Sequence, residues 1–440
     1  MHLPIGLTRH ELARLERTHV WPPYTSRDRH EGTDPLVVVA AEGLWLKDAD
    51  GRRFLDASSS WWACTLGHGH PRLRDALVRQ AEQLMHVSTG GITHAPAALL
   101  ARELVEAAPP GLTRVHFSDD GSTAVEAAVK IAFQHWQQNG RPARRRFVAL
   151  SGAYHGDTLG AASLASLDEF HHVFGPLLFE VLRPPDPKDG AGWERTFARM
   201  IESIRERPDE IAGVIVEPLI QGAAGMRVYP AELLSALAEA VRDVDTFLIA
   251  DEVFSGYGRT GRMWACDHAG VTPDLLCTAK GFTAGVLPMA ATLATERVYD
   301  GFRGGADRAL LHGHTFCGNP LGAAVAREVL AVYRDEGVVE NVARLAPRVR
   351  RAFEGLRALD GVTAVRSLGL VGAADLGAGG YLGDRGWQVF EEALALGVFL
   401  RPLGDTVYVA PPLNVSPAEL DDLLVRVTEA VVRALKRDAP

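Results

Sequence analysis

The middle of the chain alternates short apolar runs with helical patterns, and this alternation limits its fold more than any other feature. Between residues 71 and 330 the strand-like runs include RVHFS, RFVALSG, IAGVIVEPLI, TFLIADE and DLLCTAK, and TAVEAAVKIAFQHWQQ and AELLSALAEAVRD are helix-like. Strands that alternate with helices form parallel strand–crossover units, so we predict an α/β sheet covered on both faces. The run VIVEPL is apolar without alternation, which is typical of a strand buried on both faces.

The same patterns divide the chain into three predicted parts. Residues 71–330 are expected to form the large sheet domain. Residues 331–440 contain long amphipathic helices, short strand patterns and a capping box, Ser416-Pro417-Ala418-Glu419, at the start of the last helix, which indicates a small α+β domain. Residues 1–70 contain a hairpin pattern about Asp50-Gly51, and we expect this segment to join the small domain across the sequence.

Composition excludes several classes of protein. The chain of 440 residues has 46 Lys and Arg against 55 Asp and Glu, a net charge of −9, and no long basic run, so we expect no nucleic-acid partner. The chain contains no run of about eighteen apolar residues, so we expect no membrane span. Cys64, Cys266, Cys277 and Cys317 lie far apart, which argues against a zinc knuckle or a redox pair. The first residues lack the apolar core of a signal peptide, so we expect a cytoplasmic protein.

Two patterns suggest other chemistry, but their surroundings argue against both. GYGRTG, Gly256–Gly261, has the glycine spacing of a dinucleotide site, yet no helix follows it directly and the next acidic residues come too soon. His68-x-His70 and His312-x-His314 have a metal-ligand spacing, but both pairs lie in glycine-rich turns without Cys, Asp or Glu at ligand spacing. We therefore expect neither a nicotinamide cofactor nor a metal.

Two charged residues at the ends of neighbouring predicted strands point to pyridoxal phosphate. Asp251 ends the strand TFLIAD and Lys280 follows the strand of DLLCTAK. Ligands of open α/β sheets collect at the carboxyl ends of strands, so both side chains can face one site. An aspartate there can pair with a protonated pyridine nitrogen, and a desolvated lysine can bond to an aldehyde. Either residue alone has an ordinary alternative, a turn cap for Asp251 and a solvated amine for Lys280.

The stretch SDDGSTAVE adds a candidate phosphate site. It places Gly121 and Ser122 at the start of a predicted helix, with Thr123 and Glu126 as a possible capping box. Free backbone N–H groups and the helix dipole attract a phosphate at such a position. Alone, this pattern equally describes an ordinary capped helix.

With these residues identified, the chain resembles the class III (ω-type) aminotransferases, which depend on pyridoxal 5'-phosphate, over nearly its whole length. The resemblance is carried by IADEVFSGYGRTG, CTAKG, SGAYHGDTLGA and EPLIQGAAGM. It implies fold type I, an α/β fold whose large domain holds a mostly parallel seven-stranded sheet beside a small α+β domain. It also implies a homodimer with its active site at the subunit interface.

The resemblance assigns the cofactor residues. Lys280 would be the catalytic lysine that holds the cofactor covalently, Asp251 the partner of its ring nitrogen, and Tyr154 the residue that stacks on its ring. A tyrosine can provide such offset stacking, although core packing remains an alternative for Tyr154.

The phosphate contacts follow from the same resemblance. Gly121 and Ser122 would hold the phosphate within one subunit. Thr315 would reach it from the other subunit of the dimer.

A narrower resemblance concerns the substrates. WPPYTS, SSSWWACTLGHGHP, GGITHAPA and HGHTFCGNP are similar to the class III enzymes of biotin biosynthesis. They imply transfer of an amino group from S-adenosylmethionine to 7-keto-8-aminopelargonate. Such enzymes often have HGPTF where this chain has Gly313-His314, and some relatives with histidine there use lysine as amino donor. The donor therefore stays open, as does an amine substrate such as ornithine or 4-aminobutyrate.

The substrate pocket implied by this resemblance includes several aromatic side chains. Trp61 and Trp62 would form its wall together with Tyr24. Adjacent residues of an extended strand point to opposite faces, so both tryptophans can line one pocket only if the chain turns there. Core packing of at least one tryptophan is the alternative.

The charged substrate contacts also have alternatives. Arg401 would bind the carboxylate of the keto-acid substrate in a bidentate contact, unless it forms a surface ion pair. Asp157 and Arg259 resemble residues near the substrate amine and the site entrance, although either could form a structural salt bridge. Gly313 and His314 would lie beside the substrate, and Glu217 is expected to hold a neighbouring arginine.

Overall fold

The computed structural model describes residues 6–187 and 192–437. The helices are α1 (Arg9–His19), α2 (Arg27–Gly32), α3 (Ser59–Trp62), α4 (Pro71–Gln83), α5 (Ala95–Ala107), α6 (Gly121–Gln138), α7 (Leu159–Leu164), α8 (Asp168–His171), α9 (Gly192–Glu206), α10 (Ala231–Asp243), α11 (Glu296–Asp300), α12 (Pro320–Asp335), α13 (Val338–Leu356), α14 (Arg385–Ala395) and α15 (Pro417–Arg437). In the described ranges, none of these helices is long and apolar enough to cross a membrane.

The strands form one large sheet and three smaller ones. They are β1 (Val38–Glu42), β2 (Trp45–Asp48), β3 (Arg53–Asp56), β4 (Leu112–Ser118), β5 (Arg146–Ala149), β6 (Val181–Leu182), β7 (Ile211–Val216), β8 (Ile220–Gln221), β9 (Arg227–Val228), β10 (Leu248–Asp251), β11 (Leu275–Thr278), β12 (Ala290–Thr295), β13 (Ala364–Leu368), β14 (Val371–Asp375), β15 (Val398–Phe399) and β16 (Thr406–Val409).

The large sheet has seven strands in the order β4-β12-β11-β10-β7-β5-β6. Only β12 runs antiparallel to its neighbours, so the predicted mostly parallel sheet is confirmed. Every residue of β7 is buried, as its continuous apolar run predicted. Neighbouring residues of β10 belong to different clusters, Leu248 to one face and Ile249 to the other, because helices cover both faces.

The adjacent strands β10 and β11 set the position of the two charged residues. They are parallel, and Asp251 lies opposite Cys277. Asp251 is the last residue of β10, and Lys280 lies two residues beyond Thr278, the end of β11. Because both strands run in the same direction, the two side chains lie at the same carboxyl edge of the sheet.

The N-terminal segment and the C-terminal part share a sheet. The hairpin β2–β3 turns through Gly51, whose φ of 84° favours glycine, and β3 pairs in parallel with β15. The sheet β13-β14-β16 packs against α13. The predicted capping box is confirmed, since Ser416 and Glu419 exchange side-chain to backbone hydrogen bonds. The division of the chain at residues 70 and 330 stays a prediction.

Candidate active site

A cavity of about 700 Å³ opens at the carboxyl edge of the large sheet. Its lining includes eight of the residues that the sequence indicates, namely Trp62, Gly121, Ser122, Tyr154, Asp157, Glu217, Asp251 and Lys280. A second cavity, of about 780 Å³, lies among α4, α5 and α12 and contains none of these residues. The chemistry is therefore concentrated at the sheet edge, as expected for an open α/β fold.

The amine of Lys280 is enclosed by protein although the residue keeps some exposure to the cavity. Its Nζ atom lies 4.7 Å from the ring centroid of Trp62 and, within the described residues, makes no hydrogen bond or ion pair. Burial lowers the pKa of Lys280 from 10.5 to about 8, against the opposing charges of Asp251 and Glu217. Its φ of 47° is unusual for a lysine and indicates a backbone held by its surroundings.

Asp251 is held by a histidine that the sequence analysis missed. Oδ2 of Asp251 lies 2.7 Å from Nδ1 of His155, and Oδ1 accepts a hydrogen bond from the backbone of Val253. The side chain of His155 is fully buried, and its Nε2 has no hydrogen-bond partner in the described part of the chain. The only available signal was its position in AYHGD, immediately after Tyr154.

The cap of α6 differs from the predicted one. Asp120 is the N-cap. Its carboxylate accepts a hydrogen bond from the backbone N–H of Thr123, and the Thr123 hydroxyl accepts one from the backbone N–H of Asp120. Glu126 accepts instead from the backbone N–H of Gly160 at the start of α7. The predicted Thr123–Glu126 capping box is therefore wrong by one turn, because a tertiary partner was available to Glu126.

The first turn of α6 can bind an anion. The backbone N–H groups of Gly121 and Ser122 make no hydrogen bond within the described ranges, and the helix dipole points its positive end at the cavity. The hydroxyl of Ser122 lies 2.8 Å from that of Thr158. A Cβ atom at Gly121 would lie 2.7 Å from Cγ1 of Val253, so only glycine lets the helix start this close to the strand edge.

Tyr24, Tyr154 and Asp157 form one hydrogen-bonded group at the cavity. The hydroxyl of Tyr154 donates to Oδ2 of Asp157 at 2.8 Å, and the hydroxyl of Tyr24 donates to the same oxygen. Burial and these neighbours raise the pKa of both tyrosines well above their usual value. Although burial opposes it, hydrogen bonds from neighbouring side chains lower the pKa of Asp157, so this carboxylate is ionised at neutral pH.

The two tryptophans lie in a turn of left-handed backbone. Residues Ser59–Trp62 all have φ between 46° and 73°, so the chain does turn here. Trp62 is 5% exposed, lines the cavity and packs 4.6 Å from the ring of Phe254. Trp61 is 39% exposed and packs against Tyr24 rather than lining the cavity.

The predicted arginines are not held by carboxylates. The guanidinium of Arg401 lies 4.7 Å from the ring centroid of Trp61, and in the described chain it forms no ion pair. Arg259 is buried and donates from Nη1 to the carbonyl of Pro411, while its Nη2 has no described partner. Burial lowers the pKa of Arg259 to about 10. The salt-bridge alternatives therefore do not describe either residue.

The prediction for Glu217 is wrong. Its carboxylate accepts from the backbone N–H groups of Tyr154 and Gly222, and no arginine of the described residues pairs with it. Burial raises its pKa to about 7. Its role is to fix the loop that carries Tyr154.

The loop that contains Gly313, His314 and Thr315 stands apart from the other predicted residues. Gly313 and Thr315 are exposed and do not line the cavity. Nδ1 of His314 lies 2.9 Å from Oδ2 of Asp119, which does line it. Their contacts with cofactor and substrate stay predictions.

The residues present fit pyridoxal phosphate. They provide an unpaired amine of lowered pKa, a carboxylate fixed by a buried histidine, and free N–H groups at a helix start, all around one cavity. An aldehyde, a pyridine nitrogen and a phosphate need these three partners. The aromatic side chain of Tyr154 adds a surface for a flat ring.

Comparison with known proteins agrees with this chemistry. The model of the aminotransferase class-III family matches residues 26–431. An adenosylmethionine-8-amino-7-oxononanoate aminotransferase from Geobacter sulfurreducens is 40% identical over 433 residues, which cover 93% of this chain and 94% of that protein. The crystal structure of the enzyme of that name from Methanocaldococcus jannaschii has a TM-score of 0.92 at 34% identity, covering 97% of this chain and 99% of that one. An amine transaminase from an uncultivated Pseudomonas species, solved with PLP bound, has a TM-score of 0.89 at 32% identity, covering 94% and 99%.

Proposed function

The chain belongs to the class III aminotransferases, a family that depends on pyridoxal 5'-phosphate, and from this premise we propose that it aminates 8-amino-7-oxononanoate (7-keto-8-aminopelargonate) with S-adenosylmethionine as donor. The product is 7,8-diaminopelargonate, and the step belongs to biotin biosynthesis. The relative named adenosylmethionine-8-amino-7-oxononanoate aminotransferase, which is 40% identical over nearly the whole chain, supports this choice of substrates. The observation that carries the chemistry is the unpaired amine of Lys280 beside Asp251 in one cavity.

When bound, the cofactor would supply an electron sink for the electron pair that remains when the donor loses its α-proton. Lys280 accepts that proton, because at its lowered pKa a useful fraction of the amine is neutral near pH 7 to 8. Lys280 would then deliver a proton to C4′, the aldehyde carbon of the cofactor. Asp251 holds a proton at the ring nitrogen, and the hydrogen bond to His155 keeps its carboxylate in place.

The remaining predicted residues bind rather than transfer protons. The first turn of α6, at Gly121 and Ser122, binds the phosphate through its free N–H groups. Tyr154 stacks on the ring. Asp157 attracts the substrate amine because its carboxylate is ionised and partly exposed.

The substrate contacts lie around the same opening. Arg401 clamps the carboxylate of the keto acid, since its guanidinium is presented by Trp61 without a competing carboxylate. Trp62 and Tyr24 form apolar walls on either side. Arg259 contributes positive charge beneath the cavity.

We further propose that two copies form a homodimer in the cytoplasm. In that dimer Thr315 reaches the partner's cavity, and the exposure of Gly313 and Thr315 in the single chain supports this arrangement. Thr315 then adds a hydroxyl to the phosphate site.

The test is a half-reaction that needs no acceptor. The protein is purified with pyridoxal phosphate, and S-adenosylmethionine, lysine, ornithine and 4-aminobutyrate are added separately. Conversion of the bound cofactor to its amine form is followed by absorbance and chromatography. The converted protein is then given 8-amino-7-oxononanoate, and 7,8-diaminopelargonate is measured.

Conversion by S-adenosylmethionine alone, followed by formation of the diamine, is the expected result. Conversion by lysine alone would mean that lysine, and not S-adenosylmethionine, is the amino donor, with the proposed acceptor unchanged. Conversion by ornithine or 4-aminobutyrate without diamine formation would overturn the biotin step but not the family chemistry.

A further inference from the structure

The carboxylate of Asp157 has different neighbours on its two oxygens. Oδ2 accepts from the hydroxyls of Tyr24 and Tyr154, so one oxygen carries both tyrosines. Oδ1 lies 3.5 Å from Nε2 of His171. The hydroxyls of the two tyrosines also lie 3.2 Å apart, so Tyr24, Tyr154 and Asp157 all contact one another. His171 joins this group through Oδ1 of Asp157.

His171 lies behind this group. It is 5% exposed, and its ring is stacked on that of Tyr154, with centroids 6.1 Å apart and an angle of 23° between the planes. Phe170 packs edge-on against His171 and Tyr154 and also contacts Tyr24. The last two residues of α8 therefore support both tyrosines of the cavity opening.

Nδ1 of His171 has no hydrogen-bond partner in the described chain, and its Nε2 is paired at 3.5 Å with Oδ1 of Asp157. Burying a polar group without a partner costs about 1–3 kcal/mol, so an apolar residue would suit a purely structural position better. Phe170, next in sequence, already provides an aromatic ring to the same cluster. An imidazole beside a carboxylate of the cavity indicates a polar role.

We propose that His171 is a positioning residue for the amino-donor subsite. Its Nε2–H anchors Oδ1 of Asp157, and its ring backs Tyr154, so the carboxylate keeps a fixed face toward the substrate amine. This inference rests on the proposed function, because that function assigns the amine to Asp157.

The anchor matters because without it only Oδ2 of Asp157 is held, by the hydroxyls of Tyr24 and Tyr154. The side chain of Asp157 is 54% exposed, so water competes for Oδ1 once the imidazole is removed. A rotated carboxylate takes the hydroxyls of Tyr24 and Tyr154 with it, since both donate to Oδ2. The substrate amine then binds less tightly, while Lys280 and Asp251 keep their own contacts.

Two variants distinguish the effect of the Nε2–H donor of His171 from the effect of its aromatic ring. His171→Phe keeps a ring against Tyr154 but has no N–H for Asp157. His171→Gln loses the ring but can place an amide N–H near the position of Nε2. His172→Gln is the matched control, because His172 is the next residue and its side chain is exposed.

We expect His171→Phe to raise KM for the amino donor about tenfold, the usual loss for one hydrogen bond to a charged group, with kcat changed less than about threefold. His171→Gln should recover KM to within about threefold of wild type. His172→Gln should leave both constants unchanged. Pyridoxal phosphate affinity and the melting temperature of each apoprotein are measured in parallel.

Donor KM of His171→Phe equal to that of wild type would overturn the inference. Equal losses in both variants would assign the effect to ring packing, and a fall in melting temperature with weaker cofactor affinity would assign it to folding; either result also overturns the inference. The KM comparison uses whichever donor the wild-type protein accepts. Failure of wild type to use any amine would instead reject the proposed function.

Discussion

Nδ1 of His155 lies 2.7 Å from Oδ2 of Asp251, and both side chains are buried at the cavity that Lys280 enters. The histidine lies in the loop after β5 and the aspartate ends β10, so this contact joins a loop to a strand end at one edge of the sheet. A buried carboxylate is stable only with such partners. The pair therefore fixes the carboxylate that, in the proposed function, would hold a proton at the cofactor nitrogen.

Asp251→Asn is expected to lower kcat by about 10²–10⁴-fold, the range typical of a positioned proton-transfer group, because a neutral pyridine is a poor electron sink. Cofactor content should change little. Steady-state kinetics with quantified bound cofactor test this. Asp267→Asn, a carboxylate outside the cavity, serves as the control, and a near wild-type rate in Asp251→Asn would remove the residue from its role.

The contact between His155 and Asp251 predicts strong coupling. His155→Asn should lower kcat about tenfold alone, and it should add almost nothing in the Asp251→Asn background. The four rates form a double-mutant cycle. Independent, multiplicative effects would mean that His155 acts other than through Asp251.

Lys280→Ala is expected to abolish turnover while the protein still binds pyridoxal phosphate noncovalently, since the proposed phosphate site is on α6. Mass spectrometry after borohydride reduction should find the cofactor attached to wild type and absent from the variant. Lys436→Ala, an exposed lysine near the end of α15, is the control. Normal turnover of Lys280→Ala without added amine would contradict the assignment.

Burial lowers the pKa of Lys280 to about 8 from 10.5. Between these two pH values the unfolded apoprotein holds a proton that the folded one has released. The free energy of unfolding therefore increases with pH in this window, as the destabilising effect of the buried charge is lost. Below about pH 8 its destabilising effect is fully present. Lys280→Met should therefore melt above wild type near pH 7, and the difference should shrink toward about pH 10. A constant difference would mean that the folded-state pKa of Lys280 is not lowered.

Arg401→Gln is expected to raise KM for the carboxylate-bearing acceptor about 10- to 100-fold, because a hydrogen-bonded contact between charged groups is worth about 1.5–3 kcal/mol. The donor half-reaction with S-adenosylmethionine should lose less, which separates the two substrates. Arg433→Gln, which removes an exposed pair with Glu429 on α15, is the control. Equal acceptor KM in wild type and Arg401→Gln would place the carboxylate elsewhere.

Several features of this protein could be predicted because they depend on neighbouring residues in the chain. The apolar runs of β7, β10 and β11 indicated buried parallel strands, and the positions of Asp251 and Lys280 at strand ends placed them at one edge. The start of α6 at Gly121 was readable from SDDGSTAVE.

Other features could not be predicted because their partners are far away in sequence. Glu126 accepts from the backbone N–H of Gly160 and Glu217 from that of Tyr154, contacts that no local pattern specifies. His155 and His171 were missed since nothing near them in sequence reveals which carboxylate they approach.

The sequence by itself determined the order of strands and helices, the edge of the sheet that carries the chemistry, and the resemblance to an aminotransferase family. Those properties follow from hydrophobic periodicity and from residue types at the ends of elements, which act over a few residues. The tertiary structure decided which side chains meet. Trp62 reaches the hydroxyl of Tyr408 across 346 positions of sequence, and only the packing of the folded chain brings such partners within 3.1 Å.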